Sequence, residues 1–235
     1  MYELELFNLI WLYTTFGVML AAFIQGTAGF AFALFLTPIL LLFLQPQKII
    51  IINIILAFFL NLFTILIMRR NFFSNIVLSR VIPIAVGSLI GMPVGAYILK
   101  IIEPGLLKIF IGTIIIIFAI LIGFGFTLSF KNYKLSSGIA GLLSGLLMTS
   151  TSLGGPPVVI IMHGQRLNKN LIYCNLILYW LFLASCSLLT LAVGKIVEVI
   201  SIYQVFSFLP SLLIGLYLGI ITFNKINVDQ FRNPV

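Results

Sequence analysis

The sequence is poor in charged residues. Lys and Arg number 13 and Asp and Glu only 5, so that charged residues make up 8% of the 235 residues. A soluble domain of this length needs a far more polar surface, and that class is therefore excluded. Hydrophobic residues make up 62% and the mean hydropathy is +1.25, values that indicate an integral membrane protein.

Histidine and cysteine are also scarce, with one His and two Cys. Because Cys174 and Cys186 fall in one predicted helix, neither a disulfide framework nor a zinc site is supported. His163, at the end of its segment and close to Arg166, fits an interface position better than a proton relay. The sequence has neither a GxSxG nor an HExxH motif, which disfavours an intramembrane hydrolase. We predict no enzyme activity, no cofactor and no metal.

The predicted membrane interior lacks Asp, Glu, Lys and Arg. Ion-coupled cation carriers usually keep a carboxylate at that depth, so a cation carrier is disfavoured. The basic residues stand singly or in pairs at predicted helix ends, which is the usual pattern of residues that set membrane topology. The net charge of +8 therefore does not predict a nucleic-acid partner.

Long apolar runs make up most of the chain, and each is near the ~20 residues that cross about 30 Å of hydrocarbon as an α-helix. They cover residues 48–68, 81–99, 106–126, 171–193 and 203–223. The N-terminus, Met-Tyr-Glu-Leu-Glu, is acidic and lacks the features of a cleavable signal peptide, so the first helix is expected to stay. The predicted fold is all-α, a polytopic transmembrane helical bundle in the lipid bilayer.

An internal repeat runs through these segments. FIQGTAGFAFALFLTPILLLF (23–43) and LLSGLLMTSTSLGGPPVVIIM (142–162) each place a glycine, Gly26 or Gly145, twelve residues before a proline. An asparagine, Asn53 or Asn175, marks the apolar helix that follows. The small residues that then recur in order are Pro83, Gly91 and Gly95 in the first half and Pro210, Gly215 and Gly219 in the second. The two GxxxG pairs predict close helix contacts.

These matches predict a duplication, with a first membrane repeat at 1–130 and a second at 131–235. The first half continues into the apolar run at 106–126, whereas the second half ends with VDQFRNPV. The last helix of the second repeat is therefore expected to be absent, either by truncation or by a genuine shortening.

The distribution of Lys and Arg predicts that both glycine-containing segments fold back inside the membrane, near residues 25–29 and near Gly154. Nine basic residues then share one side and four the other, and the positive-inside rule makes the richer side cytoplasmic. The richer group is Arg69, Arg70, Arg80, Lys131, Lys134, Arg166, Lys169, Lys225 and Arg232, and the other is Lys48, Lys100, Lys108 and Lys195. The two repeats would be inverted, with broken or re-entrant helices, and the N-terminus would lie outside.

A broken helix in lipid leaves backbone N–H groups that need a partner. The positive end of a helix dipole, with glycines that allow close approach, suits an anion, and corresponding breaks in two halves indicate a transporter's central site. The alternative, in which these residues only pack or bond neighbouring helices, stays open here. The predicted substrate-binding residues are Gln25, Gly26, Thr27, Gly29, Asn53, Asn61, Thr149, Ser150, Thr151, Ser152, Gly154, Gly155, Pro156 and Asn175.

The paired signatures GTAGFAFALFLTPIL and GLLSGLLMTSTSLGGPP resemble those of the sulfite exporter TauE/SafE family of membrane permeases, and the resemblance covers essentially the whole chain. It implies transport of small sulfur-containing anions, such as sulfite, thiosulfate or organosulfonates, across the bacterial inner (plasma) membrane. The family usually has one more helix after the stretch that matches VDQFRNPV.

From these features we predict a multi-pass permease that moves a small anion through a central site lined by neutral dipoles. Such a site can desolvate an anion without trapping it as a full positive charge would. An anion channel of similar architecture and a non-transporting membrane scaffold subunit are the alternatives. The sequence leaves the anion, the direction of flux, proton coupling and the oligomeric state open.

Overall fold

A computed structural model describes residues 2–128, 132–165, 167–196 and 202–225. Within these ranges the chain is almost entirely helical and has no strand, which confirms the all-α class. The helices are α1 Tyr2–Ala28, α2 Phe32–Leu40, α3 Pro46–Ile67, α4 Arg69–Phe72, α5 Leu78–Ile101, α6 Pro104–Gly123, α7 Tyr133–Thr151, α8 Gly155–His163, α9 Lys169–Val193, α10 Ile202–Ser207 and α11 Leu209–Lys225, with a 3-10 turn at Phe73–Asn75.

Four of the described helices, α3, α5, α6 and α9, are long and apolar enough to cross a membrane, and α11 is a shorter apolar helix. Helix α3 begins at Pro46 and α6 at Pro104. In the first turn of a helix the missing proline N–H removes no helical hydrogen bond, so these prolines start helices without cost to them. The structure confirms a polytopic transmembrane helical bundle.

Helices α1 and α2 form a hairpin inside the bundle. The turn contains Gly29, whose φ of 81° lies in the left-handed region that ends a right-handed helix. Helix α2 then runs back along α1, because Ile39 packs against Gly17 and the ring centroids of Tyr13 and Phe43 lie 6.4 Å apart. The chain therefore leaves α2 on the side where α1 began, as the predicted fold-back requires.

Helices α7 and α8 form a second hairpin. It turns at Ser152, the residue after α7, whose φ is 62°. The backbone N–H of Leu128, before α7, donates to the carbonyl of Ile160, near the end of α8, at 3.3 Å. The two ends of this hairpin thus also lie together, and the second predicted fold-back is present.

Contacts among helix ends show which ends share a side of the bundle. Arg80, at the start of α5, lies 4.6 Å from the ring centroid of Tyr133, at the start of α7, and donates a hydrogen bond to Gln165, after α8. The side chain of Asn175, in α9, accepts from the backbone N–H of Val77, just before α5, at 2.8 Å. The starts of α5, α7 and α9 therefore lie on one side, where the charge argument placed Arg80, Lys134 and Lys169.

The end of α11 lies near the start of α9, because the ring centroids of Phe223 and Tyr173 are 4.2 Å apart, so α11 begins on the opposite side. There Trp11, in the first half of α1, donates from its ring N–H to the hydroxyl of Ser207, just before α11, at 3.3 Å. The cytoplasmic assignment of the first side stays a prediction. Part of the charge argument falls outside the described residues, namely Lys131, Arg166, Arg232 and the side chain of Arg70. The stretch 228–235, on which the missing-helix expectation depends, also lies outside them.

Glycines make the closest helix crossings, α5 against α7 and α11 against α1. A Cβ atom at Gly91 would lie 2.0 Å from the carbonyl oxygen of Leu142, and one at Gly215 would lie 2.1 Å from that of Met19. Both distances are far below any real carbon contact, so only glycine fits at these positions. The close approach predicted for the two GxxxG pairs is confirmed.

We expect single-cysteine labelling to place positions 69 and 134 on one face of the membrane and positions 48 and 108 on the other. Cys174 and Cys186 are free thiols, so both must first be replaced to give a cysteine-free background. A membrane-impermeant maleimide applied to intact cells should label Lys48→Cys at once and Arg69→Cys only after permeabilisation. Equal labelling of both from outside would mean that α3 does not cross the membrane.

Candidate functional site

The turns of the two helical hairpins meet at a cavity of about 50 Å³, which α3 and α9 close from the sides. It contains part of each break, although the two segments are far apart in the sequence. The predicted substrate-binding residues that lie in its wall are Gln25, Asn53, Asn61, Ser152, Gly154, Gly155 and Pro156.

The cavity lies deep within the bundle. At a rise of 1.5 Å per residue, Asn53 is about 10 Å along α3 from Pro46, and Trp180 is about 17 Å along α9 from Lys169. Both side chains are buried. Since the hydrocarbon core is about 30 Å thick, the cavity lies near the depth at which transporters keep their central site.

Gln25 fastens the first turn. Its Oε1 accepts from the backbone N–H of Phe32 at 3.0 Å, and its Nε2 donates to Asn61 Oδ1 at 3.1 Å. Phe32 is the first residue of α2, so the glutamine caps one of the N–H groups that a helix start leaves unpaired. Gln25 thereby joins α1, α2 and α3 around the cavity.

Ser144, the counterpart of Gln25 in the repeat, fastens the second turn. Its hydroxyl donates to the carbonyl of Gly154 at 2.6 Å and accepts from the Tyr179 hydroxyl at 2.9 Å. The serine therefore links α7, the start of α8 and α9 in the way that the glutamine links α1, α2 and α3. Sequence analysis missed Ser144, and its position just before Gly145 was the available signal.

Asn53 ties the two hairpins to each other. Its Nδ2 donates to Thr37 Oγ1, on α2, at 2.8 Å and to Ser152 Oγ, at the end of α7, at 3.0 Å. The side chain is 1% exposed, and its Oδ1 has no hydrogen-bond partner among the described residues. Because an unsatisfied buried acceptor costs about 1–3 kcal/mol, this oxygen marks a place for a donor.

The starts of α2 and α8 supply backbone donors to the cavity. Ala33, Leu34 and Gly155 lie in its wall, and N–H groups in a first helical turn have no partner within their own helix. In α8 the next two residues, Pro156 and Pro157, carry no N–H, so Gly155 is the donor nearest the helix start. The positive dipole ends of both short helices thus lie at one cavity.

The negative end of α1, by contrast, is covered by side chains of α9. The Tyr173 hydroxyl donates to the Gly26 carbonyl, and the Trp180 ring N–H donates to the Gly29 carbonyl, each at 2.9 Å. These bonds satisfy carbonyl groups that a helix end leaves unpaired. The backbone around the first break therefore offers its N–H groups rather than its carbonyls, which favours an anion over a cation.

Every side chain in the cavity wall, as far as the described residues form it, is uncharged. The wall holds three amides, one hydroxyl, glycines, a proline and apolar groups. An ion bound there would be stabilised by hydrogen bonds and peptide dipoles alone.

The other three predicted hydroxyls before Gly154 bond away from the cavity. Ser150 and Thr151 each donate to the carbonyl four residues earlier, at 2.8 and 2.7 Å. Thr149 donates to the carbonyl of Met92, on α5, at 2.8 Å. A bond to the carbonyl of the preceding turn is common for Ser and Thr in helices. Ser152, which lies beyond the end of α7, is left as the hydroxyl in the wall.

The remaining predicted residues lie behind the wall. Thr27 donates to the carbonyl of Gly219, on α11, at 3.3 Å, and Gly26 packs against the same helix. Gly29 holds the turn with its positive φ. Asn175 bonds to the segment before α5 rather than to either hairpin. Their part in substrate binding stays a prediction.

Apolar residues that sequence analysis did not single out complete the wall. Trp180 is the clearest case, because a buried tryptophan needs a partner for its ring N–H, and here that partner is the carbonyl of Gly29 in the first break. The others are Phe30, Ala31, Phe32, Ala33, Leu34, Ala57, Met148, Leu153 and Leu183.

A family model described as Sulfite exporter TauE/SafE matches residues 14–235. Both repeat segments, and therefore both hairpins that form the cavity, fall within this match. Comparison with curated proteins and with solved structures gave no match.

Proposed function

The chain belongs to the sulfite exporter TauE/SafE family, and from this membership we propose that it carries sulfite, thiosulfate or organosulfonates across the inner (plasma) membrane. It is a membrane transporter and not an enzyme. The cavity between the hairpins supports proposals for the anion and for the residues that bind it.

One observation supports the proposed site above the others: both breaks of the chain open into the same uncharged cavity. Helix packing alone would not require two short helices, α2 and α8, to begin at a common point. A small anion at that point accepts from Gly155 N–H, from the first-turn N–H groups of α2 and from the Ser152 hydroxyl. The break residues then have partners that lipid would not give them.

The uncharged wall also suits release of the anion. A buried Lys or Arg at about 4 Å would attract an anion far more strongly in a medium of low dielectric constant than in water, and would slow its departure. Neutral donors give several hydrogen bonds to a charged group, each worth about 1.5–3 kcal/mol, which offsets part of the loss of hydration. The ion is therefore held without being trapped.

We further propose that residues 1–130 and 131–235 are inverted repeats. Helix α5 packs on α7, and α11 packs on α1, so each half contributes a helix to the broken helix of the other. Gly91 meets the carbonyl of Leu142, and Gly219 meets that of Phe23, which is the counterpart of Leu142 in the repeat. Rocking of one hairpin with its partner helix against the other would expose the cavity to each side in turn.

Export needs no coupling ion in this scheme. With the cell interior negative, each negative charge that leaves gains about 2.3 kcal/mol for every 100 mV of membrane potential. A gradient of the anion itself would add to that drive.

We expect the purified protein in liposomes to take up radiolabelled sulfite at a rate that saturates, and to show counterflow when unlabelled sulfite is inside. Protein-free liposomes give the background. Flux that neither saturates nor shows counterflow would favour an anion channel. If sulfite, thiosulfate, sulfoacetate and taurine neither cross the membrane nor change the thermal stability of the folded protein, the transport proposal is wrong and a scaffold subunit is favoured.

A further inference from the structure

We infer that the cavity selects a singly charged oxyanion that still carries a proton, as hydrogensulfite does, and that Asn53 Oδ1 accepts the hydrogen bond of that proton. This inference rests on the proposed transport function and narrows its substrate. It follows from three features of the cavity: its charge, its one unsatisfied acceptor and its size.

The uncharged wall favours one negative charge over two. The desolvation free energy of an ion grows with the square of its charge, so a dianion loses about four times as much hydration free energy as a monoanion of the same size. Neutral donors such as Ser152 and the N–H of Gly155 offset this loss only in part. Without a cation in the wall, the doubly charged forms, sulfite and thiosulfate, are at a disadvantage.

Asn53, a residue of the cavity wall, holds a buried acceptor that a donor on the ligand would satisfy. Asn53 uses its Nδ2 for Thr37 and Ser152, and Oδ1 is left without a partner among the described residues. A fully deprotonated anion offers only lone pairs, which would repel this oxygen. A protonated oxyanion offers an O–H, so that Oδ1 gains the hydrogen bond it lacks.

The donors on the other side of the cavity match the charged oxygens of the same ligand. The Ser152 hydroxyl accepts from Asn53 and keeps its own hydrogen for donation. Ala33, Leu34 and Gly155 add backbone N–H groups at two helix starts. One acceptor and several donors are the complement of one O–H and two or more negatively charged or polar oxygens.

The size of the cavity sets an upper limit. A volume of about 50 Å³ holds roughly three to five water-sized groups, at about 10–15 Å³ for each. Hydrogensulfite, with four heavy atoms, is within this limit. Methanesulfonate, with five heavy atoms, is at the limit, and sulfonates with a longer organic chain, such as taurine, exceed it.

Titratable side chains near the cavity do not form its wall. They are Lys48 on α3, His163 on α8, and Tyr173, Cys174 and Tyr179 on α9. The stretches of α1, α2 and α7 that face the cavity, residues 18–28, 32–40 and 144–151, contain no titratable residue. The ring centroid of His163 lies 6.3 Å from that of Phe30, a wall residue.

The test is the initial rate of sulfite uptake by liposomes that contain the full chain, at constant total sulfite and equal pH on both sides. Protein-free liposomes give the background rate, which is subtracted. At pH values above the second pKa of sulfurous acid, the remaining rate should fall about tenfold for each pH unit, in proportion to the concentration of hydrogensulfite. His163→Gln should keep this profile, because the titrating group is the anion.

Competition experiments test the effect of the ligand's charge separately from the effect of its acidic proton. Methanesulfonate has one charge and no acidic proton, and thiosulfate has two charges, so both should inhibit sulfite uptake more weakly than hydrogensulfite competes with itself. Asn53→Leu should reduce the preference for hydrogensulfite over methanesulfonate to nearly one. Asn61→Leu is the matched control: it lies on the same helix and wall, but its Oδ1 is already bonded to Gln25, so the preference should persist.

A rate that stays constant or rises as the dianion replaces hydrogensulfite would overturn the inference, and would indicate that the Asn53 amide faces the cavity with its nitrogen. The pH profile and the competition use the unaltered protein, so they decide the question even if Asn53→Leu does not fold. Absence of sulfite uptake at every pH, by protein that is folded and inserted, would instead refute the proposed function.

Discussion

Replacement of Gly91 by alanine should destabilise the protein by about 3 kcal/mol or more, and replacement by leucine should prevent folding. The added Cβ would lie 2.0 Å from the carbonyl oxygen of Leu142 and 2.8 Å from the backbone nitrogen of Leu146. These are backbone atoms, so no change of side-chain rotamer relieves the clash. Helices α5 and α7 would have to separate, and they carry the closest contact between the halves.

The same crossing is locked from its other side. A Cβ at Gly145, on α7, would lie 2.1 Å from the carbonyl of Ser88, on α5. Separation of the helices to admit one methyl group at Gly91 therefore also breaks the packing around Gly145. Since a domain is stable by only about 5–15 kcal/mol, such a loss is a large fraction of the total.

Gly112, in the middle of α6, is the matched control, since a Cβ there has no atom within 4 Å. Gly112→Ala should be neutral or slightly stabilising, because alanine is up to about 1 kcal/mol better than glycine in a helix. Thermal unfolding of the two purified variants in the same detergent gives the comparison. Equal midpoints would mean that α5 and α7 do not pack as closely as described.

Sequence could predict this crossing only in part. A glycine pair spaced by four residues indicates a close helix contact, and the pairs at Gly91 and Gly215 both make one. The choice of partner helix was not predictable, because each small-residue stripe fits several neighbours. The correspondence between the glycines of the two halves was ambiguous as well, because α5 carries a third glycine, Gly87. The backbone contacts show that Gly87 and Gly91, rather than Gly91 and Gly95, correspond to Gly215 and Gly219 on α11.

The candidate site was predictable where the backbone itself breaks. The apolar runs and the Gly-Pro spacing located both turns, and the structure brings Gln25 and Ser152 to one cavity. Side-chain direction was not predictable from composition. Thr149 and Ser150 belong to a hydroxyl-rich run, but a helical Ser or Thr readily bonds the carbonyl of the preceding turn, and whether it does so depends on the place where the helix ends.

Replacement of Gly155 by leucine should abolish transport and leave the protein folded. Gly155 is the first residue of α8 and lies in the cavity wall. A Cβ there would have only the ring of Trp180 nearby, at 4.0 Å, so the backbone can accept the substitution. The four carbons of the new side chain would take up most of a cavity of about 50 Å³ and cover the N–H group that we propose to bind the anion.

Leucine at the neighbouring glycine gives the contrast that makes this result informative. A Cβ at Gly154 would lie 2.7 Å from the carbonyl of Ser144 and 2.9 Å from the Cβ of Met148, so Gly154→Leu should lower the unfolding temperature as well as the flux. For Gly155→Leu we expect sulfite uptake at least about tenfold lower, near that of protein-free liposomes, with an unfolding temperature within a few degrees of the unaltered protein. Normal uptake by folded Gly155→Leu would remove Gly155 from the path of the anion. The cavity would then serve only to pack the two hairpins, because an anion that passes there must meet the start of α8.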